Sequence, residues 1–197
     1  MSGEACVALL VKTAGVSAGA QAAIPLLVAT CKSDNVTDKA QVAYVLGTAQ
    51  HESAGFMHMR ELYDGDPTAY FEGKYGYQTA KGKELGNTHP GDGAKYFGRG
   101  FVQITGRTNY TKFARILGID LVGNPDLAIQ PGTAAKITVL GMRDGTFTGV
   151  GLARFLHVPD KLDWYNARTI VNGHDQADKI AGYAKAYYAV LETCTPW

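Results

Sequence analysis

Apolar residues recur at helical spacing along much of this chain, and the pattern predicts a mainly α fold. Val42, Val45, Leu46 and Ala49 fall at positions i, i+3, i+4 and i+7, so we expect one face of a helix at 38–53 to be buried. We place this helix after a cap at Asn35 or Thr37. Further helices are predicted at residues 2–13, 20–31 (with Pro25 as a kink or in the first turn), 107–117, from 125, 131–143, 151–156, 162–171 and 176–193.

The helical periodicity stops between Gly55 and Gly106. The chain has 24 glycines, and they cluster in this stretch together with turn signals such as Gly-Asp-Pro and Gly-Arg-Gly. A loop region of this length inside a compact domain is usually functional. We expect short helices or a small hairpin within it, at 67–75 and around 101–105. We expect no β-strand of any length, with alternating apolar and polar residues, anywhere in the chain. The sequence therefore predicts an α-rich domain with a loop-built cleft.

Composition makes this a single ordinary globular domain. The chain has 197 residues, of which 46% are hydrophobic and 19% charged. The formal net charge of +1 gives no electrostatic case for nucleic acid as a partner. It leaves room for a polyanionic substrate that meets a local basic rim. Nothing indicates an oligomer, so we expect a monomer.

The cysteines do not form a metal motif. Cys6, Cys31 and Cys194 are odd in number and widely spaced, whereas zinc sites need short paired spacings. We expect buried free thiols. The alternative is that two of the cysteines form one disulfide, if the protein works in an oxidising compartment. Neither a metal nor another cofactor is predicted.

The N-terminal region is Ala- and Val-rich, but it does not read as a membrane span. Lys12, Gly15, Gln21 and Pro25 interrupt residues 5–31, so no apolar run reaches the length of a transmembrane helix. The first residues also lack the basic region of a secretory signal. We expect a product made in the cytoplasm without a cleavable signal and without stable membrane insertion. An amphipathic, anchor-like role for the first 31 residues is the alternative.

Two glutamates nine positions apart, Glu52 and Glu61, are candidates for acid/base chemistry. Glu52 lies in the last turn of the predicted helix, where the helix dipole and partial burial both disfavour a second negative charge. A carboxyl group that keeps its proton is what a general acid needs. Glu61 follows Arg60 in polar loop sequence and is expected to stay ionised as a base. Spacing alone is weak support, because two surface carboxylates would show the same pattern.

Three stretches together resemble glycoside hydrolase family 19, the chitinases and their phage-type endolysin relatives. They are His51–Phe56 with Glu61, Gly91–Tyr110, and Ile170–Gly173. The resemblance extends over residues 38–192, and it implies a lysozyme-like, two-lobed helical domain with a catalytic cleft. The large helical lobe is expected at 1–55 and 107–197, and the loop-rich smaller lobe at about 56–106.

The resemblance also assigns roles to residues. It implies an inverting mechanism with Glu52 as general acid, Glu61 as general base and Thr105 as the hydroxyl that holds the attacking water. An inverting pair of carboxyl groups is expected about 6.5–9.5 Å apart, which leaves room for that water. The positions matched to substrate binding are Tyr96, Gln103, Asn109 and Asn172. The bland alternatives are that Thr105 caps a helix and that Asn109 forms a turn.

Two further residues are expected to support the acid. His51 could relay a proton, but a hydrogen-bonding or packing role beside Glu52 is favoured. Lys179 stands where the family usually carries an arginine that supports the acid through a charge network. Lysine keeps the charge but loses the bidentate fork of arginine. The role of position 179 is therefore open.

The resemblance implies a substrate that is a β-1,4-linked polymer of N-acetyl amino sugars. We expect a phage-type, muramidase-like endolysin that hydrolyses peptidoglycan glycan strands in the periplasm after holin-type release and so lyses the host. The absence of an export signal and of a carbohydrate-binding module favours this hypothesis. The alternatives are a chitinase that acts on N-acetylglucosamine polymers and a non-catalytic cell-wall-binding protein.

Overall fold

The structure is a computed structural model that describes residues 2–195. Residues 1, 196 and 197, which close the two ends of the predicted large lobe, lie outside it. Within the described part the α-helices are α1 (Gly3–Thr13), α2 (Ala18–Ser33), α3 (Lys39–Glu52), α4 (Pro67–Tyr75), α5 (Ala80–Glu84), α6 (Asp92–Lys95), α7 (Arg107–Leu117), α8 (Pro131–Arg143) and α9 (Ala177–Glu192). Short 3₁₀ helices span Pro125–Ile129, Leu152–Arg154 and Asn166–Ile170. The predicted mainly α fold is confirmed.

The chain divides into two compact units. The first comprises Met1–Met57 with Ala135–Trp197, and the second comprises His58–Ala134. The boundary expected near residue 106 lies inside the second unit, which also contains α7 and the 3₁₀ helix that follows it.

Helix α3 is the centre of the first unit. Its residues from Val42 to Ala49 are buried on every side, so the helix is enclosed rather than amphipathic. It packs against α9, and the two backbones approach closely at Gly47. A Cβ atom on Gly47 would lie 2.9 Å from the backbone nitrogen of Ala184. The lack of a side chain at this position is what permits the close packing.

The starts of the N-terminal helices follow local capping chemistry. The Ser2 hydroxyl accepts a hydrogen bond from the Ala5 amide, and the Ser17 hydroxyl accepts one from Ala20 at 3.1 Å. Helix α3 is capped by Asp38, whose carboxylate accepts from the Ala40 amide at 2.8 Å. The predicted cap at Asn35 or Thr37 is therefore wrong by one residue or more. Pro25 lies inside α2 rather than in its first turn.

A disulfide joins the two ends of the first unit. Cys6 in α1 is bonded to Cys194, which follows α9, and the two positions are 188 residues apart in the chain. The expectation of free thiols is wrong for these two cysteines, because residues so distant in sequence give no local sign of their pairing. Cys31 is free and buried, and burial raises the pKa of its thiol to about 12.

The second unit is built around aromatic rings. Phe71 and Tyr75 of α4 pack with Phe97, and the rings of Phe71 and Phe97 stack with their centroids 4.2 Å apart. Helix α6 packs against α4 and brings Ala94 to this cluster. These contacts hold in place the loops that carry several of the predicted site residues.

The region between α8 and α9 differs most from the sequence-based prediction. A helix was expected at 151–156 and another at 162–171, but the structure has two short 3₁₀ helices and a hairpin there. The hairpin pairs β1 (Leu156–His157) with β2 (Lys161–Leu162), with Leu156 opposite Leu162. The helical spacing of apolar residues in this segment reflects burial of separate pieces. Ile170 lies in the 3₁₀ helix that packs against α9, and Leu156 lies in β1, which packs against α3.

Candidate active site

Glu52 is the last residue of α3, and its carboxylate is held by an arginine. Arg168 Nη1 donates to Glu52 Oε1 at 2.6 Å. The Arg168 side chain is only 4% exposed, whereas that of Glu52 is 20% exposed. Arg168 Nε also donates to the backbone oxygen of Asp175 at 2.9 Å. The candidate acid is therefore tied by one buried guanidinium to the segment that precedes α9.

This ion pair corrects the expectation for Lys179. The arginine that contacts Glu52 comes from the 3₁₀ helix Asn166–Ile170, eleven residues before the position where it was sought. Lys179 is exposed, and its charge acts instead on His51. Arg168 is buried between Ala167 and the partly buried Thr169, and a buried charge requires a partner. That burial is visible only in the structure, so no signal for this contact can be read from the sequence.

His51 precedes the candidate acid and is half-buried. Burial is the main cause that lowers the pKa of its imidazole. The positive charges of Arg168 and Lys179 lower it further, and the carboxylates of Glu52 and Asp175 oppose them. A neutral imidazole at neutral pH fits a supporting role better than that of a proton donor.

Glu61 is held by three donors, all in the second unit. Lys74 Nζ donates to Oε1 at 2.7 Å and the Tyr75 hydroxyl donates to the same oxygen at 2.8 Å. The Gly98 amide donates to Oε2 at 3.2 Å, and the Glu61 amide donates back to the Gly98 oxygen. The carboxylate is therefore fixed at both oxygens, and its side chain is 18% exposed.

The contact with Glu61 helps to raise the pKa values of the two side chains that bond its Oε1, Lys74 and Tyr75. The hydrogen bond to Glu61 is the leading cause that raises the pKa of the Lys74 ammonium. Burial, and then the hydrogen bond to Glu61, raise the pKa of the Tyr75 hydroxyl to about 12. Both groups keep their protons near neutral pH and remain donors. Lys74 and Tyr75 were not predicted as site residues, although they close the helix expected at 67–75.

Gln103 and Thr105 lie on the turn that follows Gly98. Gln103 has a backbone φ of 52°, and its side-chain amide donates to the Gly100 oxygen at 2.7 Å. Thr105 is half-buried, and its hydroxyl donates to the Gln103 oxygen at 2.9 Å. The second unit thus brings Glu61, Gln103 and Thr105 into one connected loop structure.

Asn109 bonds the backbone of this loop, and Tyr96 lies in the core of the same unit. The Asn109 side chain donates to the Thr105 oxygen at 2.9 Å, so it fixes the backbone of the turn. Tyr96 is fully buried, with its ring against Tyr110 and its hydroxyl donating to the Val122 oxygen. The prediction that Tyr96 lines the cleft does not fit this burial, because α7 covers its ring. Its place in the structure is in the core.

Asn172 belongs to the first unit and is exposed. Its side-chain oxygen accepts a hydrogen bond from the Gly173 backbone amide at 2.9 Å. Its backbone N–H donates to the backbone oxygen of Arg168 at 3.1 Å. Asn172 therefore stands one turn beyond the arginine that holds Glu52. The predicted residues fall into two groups: Glu52, His51, Asn172 and Lys179 in the first unit, and Glu61, Tyr96, Gln103, Thr105 and Asn109 in the second.

Comparison with known proteins decides the family. The model of the glycoside hydrolase family 19 domain, described as chitinase class I, matches residues 2–141. The chain belongs to this family. The resemblance inferred from the three stretches is confirmed, whereas the closer likeness to endolysins stays a prediction.

Curated relatives of this family 19 chain include plant chitinases. The basic 30 kDa endochitinase of Solanum lycopersicum is 35% identical over 119 residues, which is 54% of this chain and 33% of the relative. Chitinase 2 of Oryza sativa subsp. japonica is 32% identical over 130 residues, or 61% of this chain and 35% of the relative. The chain thus spans about a third of the length of these relatives.

A solved structure supports the fold. Chitinase C from Streptomyces griseus HUT6037 superposes with a TM-score of 0.60 at 23% identity, covering 98% of this chain and 93% of that one. At this identity the likeness concerns the fold alone. It agrees with the helical, lysozyme-like architecture expected of a family 19 domain.

Neither a metal-binding cluster nor a membrane-spanning helix is found in the described part of this family 19 chain. Residues 2–195 contain no group of three or more His, Cys, Asp and Glu side chains placed to hold a metal ion. Over the same residues, no helix combines the length and apolar character needed to cross a membrane.

Gly98 offers a test of how closely Glu61 must be held. A Cβ atom on Gly98 would lie 2.9 Å from Gln103 Oε1 and 3.0 Å from Glu61 Oε2. We expect Gly98→Ala to displace the Glu61 carboxylate by a few tenths of an ångström and to lower kcat about tenfold, since catalysis is sensitive to small misplacements. Gly73→Ala is the matched control, because a Cβ atom there meets nothing within 4 Å. Full activity of Gly98→Ala in a hydrolysis assay would contradict the account.

The buried ion pair predicts a stability effect at the acid. Glu52→Gln leaves the Arg168 charge buried without its counterion, so we expect the free energy of unfolding to fall by about 2–3 kcal/mol. The comparison is Asp144→Asn, which opens the more exposed Arg143–Asp144 pair of equal length, 2.6 Å, and should cost less than about 1 kcal/mol. Denaturant unfolding measures both. Equal losses would show that burial of Arg168 is not what matters, whereas Arg168→Met in the Glu52→Gln background should recover part of the loss.

Proposed function

We propose that the chain hydrolyses β-1,4 glycosidic bonds in polymers of N-acetylglucosamine, with Glu52 as general acid and Glu61 as general base. The observation that carries the proposal is the different support of the two glutamates. Glu52 meets one buried guanidinium, and Glu61 meets an ammonium, a phenol and a backbone amide. Membership of family 19 and relatives named endochitinases support the choice of substrate.

The acid step uses the partner of Glu52. The acid step starts from the protonated form of Glu52. When that form passes its proton to the leaving glycosidic oxygen, Glu52 returns to the carboxylate that pairs with Arg168 in this structure. Arg168 lies 2.6 Å away and stabilises that negative charge as it forms. The guanidinium therefore makes the loss of the proton easier in the transition state.

The base step needs a carboxylate whose position is fixed. Lys74 and Tyr75 both donate to Oε1 of Glu61. Oε2 accepts one hydrogen bond from the Gly98 amide and keeps a second lone pair for a water molecule. Thr105 supplies a hydroxyl whose lone pairs are free to accept a hydrogen bond from that water. In an inverting reaction the water attacks the anomeric carbon while Glu61 takes its proton.

Peptidoglycan is the second candidate substrate. Its glycan strands share the β-1,4-linked N-acetyl amino sugars, and the short interval between Glu52 and Glu61 resembles the compact bacterial and phage members of the family. On this hypothesis the chain acts as an endolysin on the cell wall after holin-type release. The comparisons favour the chitinase alternative, because the named relatives are chitinases.

The disulfide bears on where the protein acts. Disulfides persist mainly in oxidising environments, and the Cys6–Cys194 bridge fits action outside a reducing cytoplasm. Both an extracellular chitinase and a periplasmic wall hydrolase satisfy this condition. We propose that the folded, bridged form is the active one in either case.

The products identify the substrate. Purified protein is incubated with N-acetylglucosamine oligomers and, separately, with purified peptidoglycan, and the products are analysed by mass spectrometry. We expect shortened oligomers from the first. Release of muropeptides with reducing ends and no cleavage of the oligomers would instead support the endolysin hypothesis. Cleavage of neither, with Glu52→Gln binding the polymers unchanged, would support a non-catalytic binding protein.

A further inference from the structure

A stacked aromatic pair stands exposed near the candidate acid. The Tyr165 ring lies on the His174 imidazole, with centroids 5.2 Å apart and planes 17° apart. Tyr165 is 46% exposed and His174 is also exposed. The pair therefore presents a flat, partly apolar surface to solvent.

Side-chain hydrogen bonds fix the segment that carries this pair, residues 163–175. His174 Nε2 bonds Asn166 Oδ1 at 3.1 Å, and the Asn166 amide donates to the Asp163 carboxylate at 2.9 Å. From outside the segment, the Thr148 hydroxyl donates to the Thr169 oxygen at 2.8 Å. These bonds hold the His174 imidazole and the backbone beside Tyr165. The pair therefore loses little conformational freedom when it meets a ligand, so it is preorganised for binding.

The same segment carries groups of the candidate active site in the first unit. Arg168, which holds Glu52, bonds the backbone of Asp175, the residue after His174. Asn172, the predicted contact to an N-acetyl sugar, lies two residues before His174. The stacked pair is therefore continuous in the chain with the support of the acid.

We propose that one pyranose ring of the glycan substrate stacks on the outer face of the Tyr165 ring, while the His174 imidazole supports the opposite face. We call Tyr165, backed by His174, the platform. The axial C–H groups of β-linked sugars form an apolar face that matches an exposed aromatic ring, while the hydroxyl groups around the sugar's edge reach polar side chains. Binding sites for such ligands combine aromatic surfaces with a few polar groups. The platform rests on the proposed function, because its occupant is a sugar unit of the same polymer.

Binding to a catalytically inactive form tests the platform. In a Glu61→Gln background, we expect Tyr165→Leu to weaken the Kd for an N-acetylglucosamine hexamer about tenfold, as measured by calorimetry, since an aromatic contact of this kind contributes about 1.4 kcal/mol. Tyr165→Phe keeps the ring and should bind within about twofold of the parent. Equal binding by the leucine and phenylalanine variants would overturn the proposal.

A second measurement needs only the Glu61→Gln parent and neither of the Tyr165 variants. In the same Glu61→Gln protein, the imidazole proton signals of His174 should shift when the hexamer is added, whereas those of His89, an exposed histidine of the other unit, should not. No shift at His174 under saturating hexamer would overturn the platform. Binding that depends on Tyr165 in a protein that hydrolyses no polymer would uphold the platform and reject the proposed function.

Discussion

Replacing Glu61 by glutamine is expected to lower kcat for oligomer hydrolysis by about 10²–10⁴-fold, the usual contribution of a general base. Glutamine cannot take a proton from water at neutral pH. Its amide also disturbs the site, because three donors converge on the present carboxylate from Lys74, Tyr75 and Gly98. If the glutamine oxygen accepts from Lys74 and Tyr75, its NH₂ group faces the Gly98 amide, donor against donor.

The control for Glu61 is the same substitution in an exposed ion pair of the same unit. Glu84 pairs with Lys81 at 2.9 Å and its side chain is 68% exposed. Glu84→Gln should leave kcat within about twofold, since surface pairs of this kind contribute little. Steady-state kinetics on a defined oligomer measures both variants. A Glu61→Gln enzyme with wild-type kcat would exclude Glu61 as the base.

Opening the Cys6–Cys194 disulfide is expected to give the largest loss of stability. The bridge closes a loop of 188 residues, for which the chain-entropy relation gives about 5 kcal/mol, and measured values for native bridges are about 2–5 kcal/mol. For a chain of this size the loss corresponds to a fall in Tm of roughly 10 °C. We expect reduction of the wild-type protein to produce this fall, which differential scanning calorimetry measures.

Substitution of Cys31, the free cysteine, provides the control for the disulfide experiment. Cys31→Ala removes the buried free thiol and with it any thiol exchange, and its Tm should still fall on reduction. A Cys6→Ala and Cys194→Ala double variant should start at the lower Tm and show no response to reductant. If reduction leaves the Tm of Cys31→Ala unchanged, the bridge does not stabilise the fold.

The sequence predicted the long helices well because their signals are local. The helices expected at 38–53, 107–117 and 176–193 correspond to α3, α7 and α9 within one or two residues. Apolar residues at helical spacing act within a few positions of one another, and this spacing, not the caps, located these helices. The helix-end position of Glu52 and the loop position of Glu61 followed from the same local reasoning.

The residues that the sequence did not reveal depend on long-range contacts. Arg168 lies 116 positions from Glu52, and Cys6 lies 188 positions from Cys194, so neither pairing has a local pattern. The burial of Tyr96 depends on how α7 packs over it. Segments with apolar residues at helical spacing between α8 and α9 became 3₁₀ turns and a hairpin, because burial rather than helix formation set that spacing.

The stereochemistry of the first product tests the central claim most directly. Proton NMR of an N-acetylglucosamine oligomer, recorded immediately after the protein is added, distinguishes the anomers of the new reducing end. An acid and a base that act through water invert the configuration, so the account predicts that the α-anomer appears first. Initial formation of the β-anomer would contradict the assignment of Glu52 and Glu61 as an inverting pair.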